Sequence, residues 1–294
     1  MILLTGATGT IGSALLRRLT ADGTVVRCLV RDPKRLGPER VRVQIALGEL
    51  AEAASFRNAL RGVDTVVHLA ASIRDQPRGS IEQLNALATL RLVRAAERAG
   101  VERFVFMSAL GASHQSPTRF FRSKALAREA VESSDLETTV FSPSIAYTPG
   151  DPWLTLLERM SYLPVMPIAG RGRTRFQPIW AEDVADCLMA ALERGPGPSD
   201  GGHRSFDLAG PQTLTYEEIV RLALHSAGRE RPLLNVPMPV VKAGLGMTEY
   251  LVGPSVFATA EEVGLMEEPM TSPRGTADVE SLGVTPLRMS AVLG

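Results

Sequence analysis

Cysteine is nearly missing from this chain: Cys28 and Cys187 are the only two. That is too few for a disulfide framework or a cysteine-based zinc site. Lysine is scarce too, with Lys34, Lys124 and Lys242 alone among 32 basic residues. Arginine supplies the ordinary surface charge, so each lysine stands out as a candidate for special use. Neither sign of charge prevails, since 32 Lys and Arg face 32 Asp and Glu. The balance argues against nucleic acid or a polybasic membrane contact as the main partner. The four histidines show no metal-ligand spacing with each other or with acids, and no metal site is expected. No apolar run reaches the roughly 18 residues of a spanning helix, so no integral membrane segment is expected. Met1 leads straight into Ile2, Leu3, Leu4 and a glycine-rich turn, without a charged leader. A cytoplasmic location without a signal peptide is the expectation. Aromatics make up only 5%, but 45% of the 294 residues are hydrophobic. A chain of this length buries roughly 75% of the surface it exposes unfolded, and needs neither disulfide nor metal to hold a core.

What is present is alternation. Short apolar runs at 2–4, 25–30, 41–47, 65–69, 104–107 and 138–141 are rich in β-branched or aromatic residues and bounded by Gly, Asp, Pro or Ser. They read as buried parallel strands. Helical patterns fall between them at 11–22, 52–60, 80–99 and 119–133. Strand and helix in turn predict an α/β doubly wound parallel sheet of the Rossmann kind. After Pro143 the texture changes, with Pro149, Pro152, Pro164, Pro167 and Pro178 breaking the chain into short pieces. Residues 195–202 read as a flexible connector. Helices are expected at 181–192 and 216–227, the second opened by a capping box of Thr215 and Glu218. The division expected is a dinucleotide-binding domain over 1–148 and a smaller substrate lobe over 149–294, with about 176–193 returning to the core.

The strongest motif is TGATGTIG at 5–12, whose Gly6, Gly9 and Gly12 lie between an expected strand and an expected helix. Gly6 allows the tight turn, Gly9 lets backbone approach a pyrophosphate, and Gly12 permits close helix–strand packing. The helix opening near Thr10 directs free N–H groups and its positive dipole end at the anion. Thr8, Thr10 and Ile11 join the three glycines as expected phosphate contacts. The second strand ends at Val30, and Arg31 is the first residue past it, followed by Asp32, Pro33, Lys34 and Arg35. An acid there holds the ribose hydroxyl of NAD, whereas an arginine accommodates the extra phosphate of NADP. Arg31 favours NADP(H). Asp32 keeps NAD(H) as the alternative.

These residues, with DTVVHLAA at 64–71, FVFMSALGA at 104–112, SKALA at 123–127 and SPS at 142–144, resemble the short-chain dehydrogenase/reductases in order and spacing. QP at 177–178, EDVA at 182–185 and FDLAGPQTLTY at 206–216 extend the likeness over about residues 1–235. In appearance the chain is most similar to the atypical branch. That branch includes bacterial NAD(P)-binding proteins similar to the nucleotide-binding accessory subunit of respiratory complex I. The resemblance implies a nicotinamide dinucleotide and a catalytic pair of Tyr and Lys, i and i+4 on one helix face. The lysine holds the nicotinamide ribose and lowers the phenol pKa. The phenol moves a proton to or from the substrate oxygen, and a serine at the end of the fifth strand orients that oxygen.

Lys124 and Ser108 match the lysine and the serine. The tyrosine position is Phe120, followed by Phe121, and neither exchanges a proton. Three readings stay open. His114, Ser116, Ser113 or Tyr147 supplies the proton; Lys124 works in the relay itself; or the protein binds the coenzyme without turning over an alcohol. The resemblance further implies Glu49 near the adenine, and Leu69, Ala70, Ala71, Pro143 and Ser144 beside Ser108 and Lys124 along the path to the nicotinamide. Asn85 reads either as a hydrogen-bonding group near the site or as a solvated helix residue. His68 reads as a satisfied structural group, and Cys28 and Cys187 as inert buried thiols. Pro164, Met166, Pro167, Met238, Met247, Tyr250 and Leu251 suggest an apolar substrate pocket or ordinary core. The expected activity is an NADPH-dependent reduction of a small apolar carbonyl or quinone-like acceptor. A non-catalytic nucleotide-binding sensor or assembly subunit is the alternative. The substrate stays unidentified, and a homodimer is left open.

Overall fold

The computed structural model describes residues 1–194, 203–252 and 259–294, and the expected connector 195–202 lies outside them. The first half runs β1 (Ile2–Thr5), α1 (Thr10–Ala21), β2 (Val26–Val30), β3 (Gln44–Leu47), α2 (Ala53–Arg57), β4 (Thr65–His68), α3 (Ala88–Ala99), β5 (Arg103–Met107), α4 (Arg119–Glu132) and β6 (Glu137–Pro143). Next come β7 (Ala146–Tyr147), α5 (Pro152–Met160), β8 (Met166–Ala169), β9 (Arg175–Phe176), β10 (Ile179–Trp180), α6 (Ala181–Glu193), β11 (His203–Leu208) and β12 (Leu214–Thr215). The chain closes with α7 (Tyr216–Ser226), β13 (Leu233–Val236), α8 (Met238–Val252), α9 (Ala260–Leu265), α10 (Ala277–Ser281) and α11 (Met289–Leu293).

Seven strands pair in the order β11-β6-β5-β4-β1-β2-β3, all parallel. α1 and α6 cover one face, and α2, α3 and α4 cover the other. Central strands buried on both sides need unbroken apolar runs, and β1 and β4 are buried at every position. β3, at the edge, is short and exposed at three of its four residues, which limits its use as a pairing template. α6 is held on α1 by charge: Arg18 reaches Glu182 and Asp186, and Arg17 reaches Glu182. The other edge is β11, a strand not assigned from the sequence.

Two local departures have clear causes. The expected strand 41–47 begins only at Gln44, because Pro33–Val41 forms a 3₁₀ segment. The Asp32 carboxylate accepts the Lys34 N–H and Pro33 takes the first helical position, a combination that starts a turn rather than a strand. The expected helix 80–99 is continuous, but Gln83–Leu87 within it is π-helical, a wide turn common at functional sites. The capping box of Thr215 and Glu218 is present, and Thr259 with Glu262 forms a second at α9.

The remaining elements build a smaller lobe around Phe121, Tyr147, Met166, Phe176 and Ile219. Its ribbons are β8 with β13, β9 with β12, and β7 with β10. No helix among the described residues is long and apolar enough to cross a membrane.

Candidate cofactor and active site

β1 ends in a turn that only glycine can make. Gly6 has φ +77°, and a Cβ there would lie 2.6 Å from the Ala70 nitrogen. A Cβ on Gly12 would lie 2.0 Å from the Gly6 carbonyl oxygen, so α1 starts against the turn. Gly9 differs. Its Cβ would meet only the Gly6 oxygen, at 3.3 Å, and Gly9 is exposed, so its backbone faces open space. Gly9 is also the N-cap of α1, without a side-chain cap or an acid in the first turn. The first-turn N–H groups are therefore left for an anion.

A cleft of about 460 Å³ runs from this turn over the carboxyl ends of β2, β3 and β4. It brings together Gly6, Thr8 and Gly9 with Arg31 and Glu49, and with Leu69, Ala70 and Ala71. Asp32 and Arg35 line the same end. Arg31 is largely exposed and stands 3.8 Å from Glu49, which Arg78 also approaches at 3.1 Å. Acids and guanidiniums thus stand side by side beyond the carboxyl end of β2.

The floor of the cleft is braced by buried polar groups. His68 lies between the hydroxyls of Thr5, 2.6 Å from Nδ1, and Thr89, 2.9 Å from Nε2. Thr89 spends its one proton on the Asn85 carbonyl, so its oxygen accepts from His68 Nε2–H, and Nδ1 accepts from Thr5. Burial, with Lys124 nearby, pushes the His68 pKa down to about 3. The imidazole is neutral and structural, as expected. Asn85, inside the π-turn, accepts from Ser72 N–H and donates to the carbonyls of Ser72 and Ile81. It pins the loop after β4 and is not solvated.

Lys124 reaches the carboxyl end of β5 at Met107, the residue before Ser108. Lys124 is buried, its Nζ donates to the Met107 carbonyl at 2.6 Å, and it lies 4.9 Å from the Phe106 ring centre. Burial lowers its pKa to about 7. Ser108 is buried, and its hydroxyl has no protein partner. Phe120 packs on Phe121, with its ring centre 5.9 Å from Lys124 Nζ.

The alternative proton donors are engaged or poorly suited. His114 is exposed, 3.6 Å from Glu129; Ser113 donates to Gln115; Ser116 bonds to Thr118. Tyr147 is wholly buried, and burial together with Asp183 raises its pKa, which weakens it as an acid. Pro143 ends β6 and is buried. The Ser144 hydroxyl donates to Met270 O and accepts from Gln177 N–H, and its N–H donates to Leu208 O, so neither is free for a ligand. The cysteines are buried, and burial lifts both thiols to about 12, which leaves them inert.

The described methionines among the lobe residues suggested as a pocket have different surroundings. Met166 is buried in the lobe core, Met247 is 67% exposed, and Met238 packs on Gly170. The side chains of Tyr250 and Leu251 lie outside the described residues. Sequence reasoning also missed the clasp on the loop beyond β4. Arg119 is held by Asp75 and Glu82, and Arg74 by Glu262. Arg119 draws the Glu82 pKa down to about 2. Ser142, whose buried hydroxyl also has no partner, was missed as well, and no local signal in β6 marks it.

Fold and cradle define a dinucleotide-binding protein, and comparison agrees: the chain belongs to the NAD(P)H-binding family, which residues 6–194 match, and is of the atypical short-chain dehydrogenase/reductase type. It is 30% identical over 257 residues to an NAD(P)H azoreductase of Xenophilus azovorans, covering 85% of this chain and 83% of that protein. It is 29% identical over 265 residues to the mitochondrial NADH dehydrogenase [ubiquinone] 1 alpha subcomplex subunit 9 of Arabidopsis thaliana. That match takes in 86% of this chain but only 64% of the subunit. In fold it is similar to a Thermus thermophilus UDP-glucose 4-epimerase solved with NAD, at a TM-score of 0.73 and 19% identity, covering 99% and 96% of the two chains.

Proposed function

We propose that the protein is an NADPH-dependent reductase of a small apolar carbonyl or quinone-like acceptor that works without the usual phenol. The observation that carries this reading is the pairing of Lys124, buried and with a pKa near 7, with the unpartnered Ser108 hydroxyl at the end of β5. The residues fit the coenzyme: Gly6 and Gly12 hold the turn tight against Ala70 and the start of α1, and Gly9 leaves its backbone open to the cleft. In this reading residues 1–148, with 176–193 and β11, hold the coenzyme, and the rest of 149–294 forms the acceptor side. The first-turn N–H groups of α1 would grip the diphosphate. Arg31 and Arg35 would grip the 2′-phosphate. Leu69, Ala70, Ala71 and the Pro143–Ser144 backbone would flank the path to the nicotinamide. Lys124 would hold the adjoining ribose, and Ser108 would orient the acceptor oxygen. When bound, the reduced coenzyme supplies a hydride. A quinone-like acceptor suits the site, because its product can take a proton from water. The likeness to an azoreductase supports a reductase.

Oxidation of NADPH against a panel of quinones and aldehydes tests the reading. Turnover with at least one acceptor is expected, and none across the panel overturns it. A second reading is a non-catalytic NAD(P)H-binding sensor or assembly subunit. Phe120 in the phenol position favours it, as does the likeness to a complex I subunit.

Two variants sharpen the test. Phe120→Tyr places a phenol four residues before Lys124, and should raise carbonyl reduction by roughly 10²-fold, the scale of one positioned general acid. Unchanged rates with all carbonyls tested would count against the assigned geometry. Arg31→Ala removes one charge-assisted contact, typically worth about 1.5–3 kcal/mol. NADPH should bind roughly tenfold or more weakly by calorimetry, with NADH little changed. Equal losses for both coenzymes would refute a 2′-phosphate contact.

A further inference from the structure

One face of the sheet carries buried hydroxyls that no protein group pairs. The Ser108 N–H donates to Phe141 O at 2.7 Å, and Leu110 N–H donates to Pro143 O at 2.9 Å. The ladder of β5 and β6 therefore continues beyond the Met107–Phe141 pair and sets Ser108 beside Ser142. Ser142 is in turn the register partner of Asp207 on β11. Alternation decides the face. Phe141 and Phe206 stack at 5.4 Å on the α1 and α6 side, so Ser142 and Asp207 point to the side of Phe106, Val140 and α4. Lys124 lies on that side too.

Ser108, Ser142 and Asp207 thus form a row across three strands, each step about one strand spacing of ~4.8 Å. Ser108 is 3% exposed, Ser142 is 2% exposed, and neither hydroxyl has a protein partner. Buried hydroxyls are seldom left so. Neither hydroxyl bonds to the other or to Asp207 as the side chains stand, and a χ1 step of about 120° between staggered rotamers re-aims each of them. At the outer end Asp207 accepts from the Ser272 hydroxyl at 2.7 Å and lies 3.5 Å from Arg274, which is half exposed. At the inner end Lys124 Nζ bonds to the carbonyl of the residue just before Ser108. The charged and titratable groups facing the row are Arg274 and Asp278 at Asp207, Arg128 with Glu132 on α4, and Lys124 with neutral His68 at the inner end.

We infer that Ser142 and Asp207 form a proton path from the sheet edge to Ser108 and Lys124, supplying the proton that Phe120 cannot. Its use in reduction rests on the reductase reading above. The coenzyme, when bound, would supply a hydride to the acceptor carbon, with the C=O π pair moving to oxygen. That oxygen takes the Ser108 hydroxyl proton. Ser108 is refilled from Ser142, and Ser142 from water through the Asp207 carboxyl. The acceptor gains H⁻ and H⁺, and the coenzyme is oxidised. Ser142 acts through Ser108 and is a positioning residue.

The path is tested first without coenzyme. Three lysines give a simple spectrum in ¹⁵N-lysine protein, and exchange of the Lys124 Nζ protons with water can be followed by NMR below pH 7. Ser142→Ala and Asp207→Asn should each slow that exchange about tenfold or more, and Ser142→Thr should restore it. Asp207→Asn, nearer the surface, serves if Ser142→Ala fails to fold. Unchanged exchange in folded variants overturns the path. With NADPH and an acceptor, Ser142→Ala should lower kcat roughly tenfold at unchanged KM and coenzyme affinity, with a larger solvent deuterium isotope effect. Adding Phe120→Tyr should recover the rate. Wild-type kcat in Ser142→Ala removes the path from the reaction. Slowed exchange in a protein that oxidises no NADPH upholds the path and removes the reductase reading.

Discussion

Gly12→Ala should weaken NADPH binding at least 100-fold while the chain still folds. The added methyl would sit 2.0 Å from the Gly6 carbonyl oxygen and 2.8 Å from its carbon. Both are backbone atoms, and Gly6 is itself fixed against Leu69 and Ala70, so the turn cannot yield. α1 must back away instead, carrying its first-turn N–H groups off the diphosphate. Overpacking of this kind typically costs about 1–3 kcal/mol of stability, which a chain this size should survive. Losing two aligned charge-assisted N–H contacts, each about 1.5–3 kcal/mol, accounts for the binding loss. Calorimetry on variant and wild type, with circular dichroism as the check on folding, measures it. Wild-type affinity in a folded variant would mean that the diphosphate does not sit on α1.

Lys124→Met should alter how stability depends on pH in the coenzyme-free protein. Folded Lys124 has a pKa near 7, against an ordinary value of 10.5, and burial is the cause. Between those values the unfolded chain holds the extra proton, so wild-type stability falls as pH drops from 10.5 to 7 and is flat below. The slope contributed is about 1.4 kcal/mol per pH unit, on the order of 4–5 kcal/mol over the window. Methionine titrates nowhere. The variant should gain on wild type toward pH 7, and the difference should shrink toward pH 10. The lost bond to the Met107 carbonyl offsets all values equally. Denaturant midpoints of both proteins at several pH values decide it, and a difference that does not change with pH rules it out. The same variant should lose turnover, an exchange of activity for stability often seen at buried functional charges.

The phosphate cradle was legible because its physics is local. Gly6, Gly9 and Gly12 act through their own backbone within eight residues of chain, and the strand and helix on either side announce themselves by apolar period. The gap at Phe120 was legible for the same reason, being an i to i+4 relation on one helix. Ser142 was not found because its meaning depends on neighbours in β5 and β11. A lone serine between Phe141 and Pro143 carries no signal until register puts it beside Ser108 and Asp207. β11 was missed because HRSFDL lacks an unbroken apolar run, and an edge strand covered on one side needs none. The 3₁₀ segment at Pro33–Val41 shows local turn chemistry overriding an apolar run, since Val41 is 80% exposed. The clasp of Arg74 on Glu262 joins residues 188 apart, beyond any window of sequence.

Glu262 does two jobs at once. Its Oε2 accepts the Thr259 N–H that opens α9, and its Oε1 holds Arg74 on the loop beyond β4. One carboxylate therefore ties the loop beyond β4 to the first turn of α9. Replacing Glu262 removes a helix cap and a long-range ion pair in a single step.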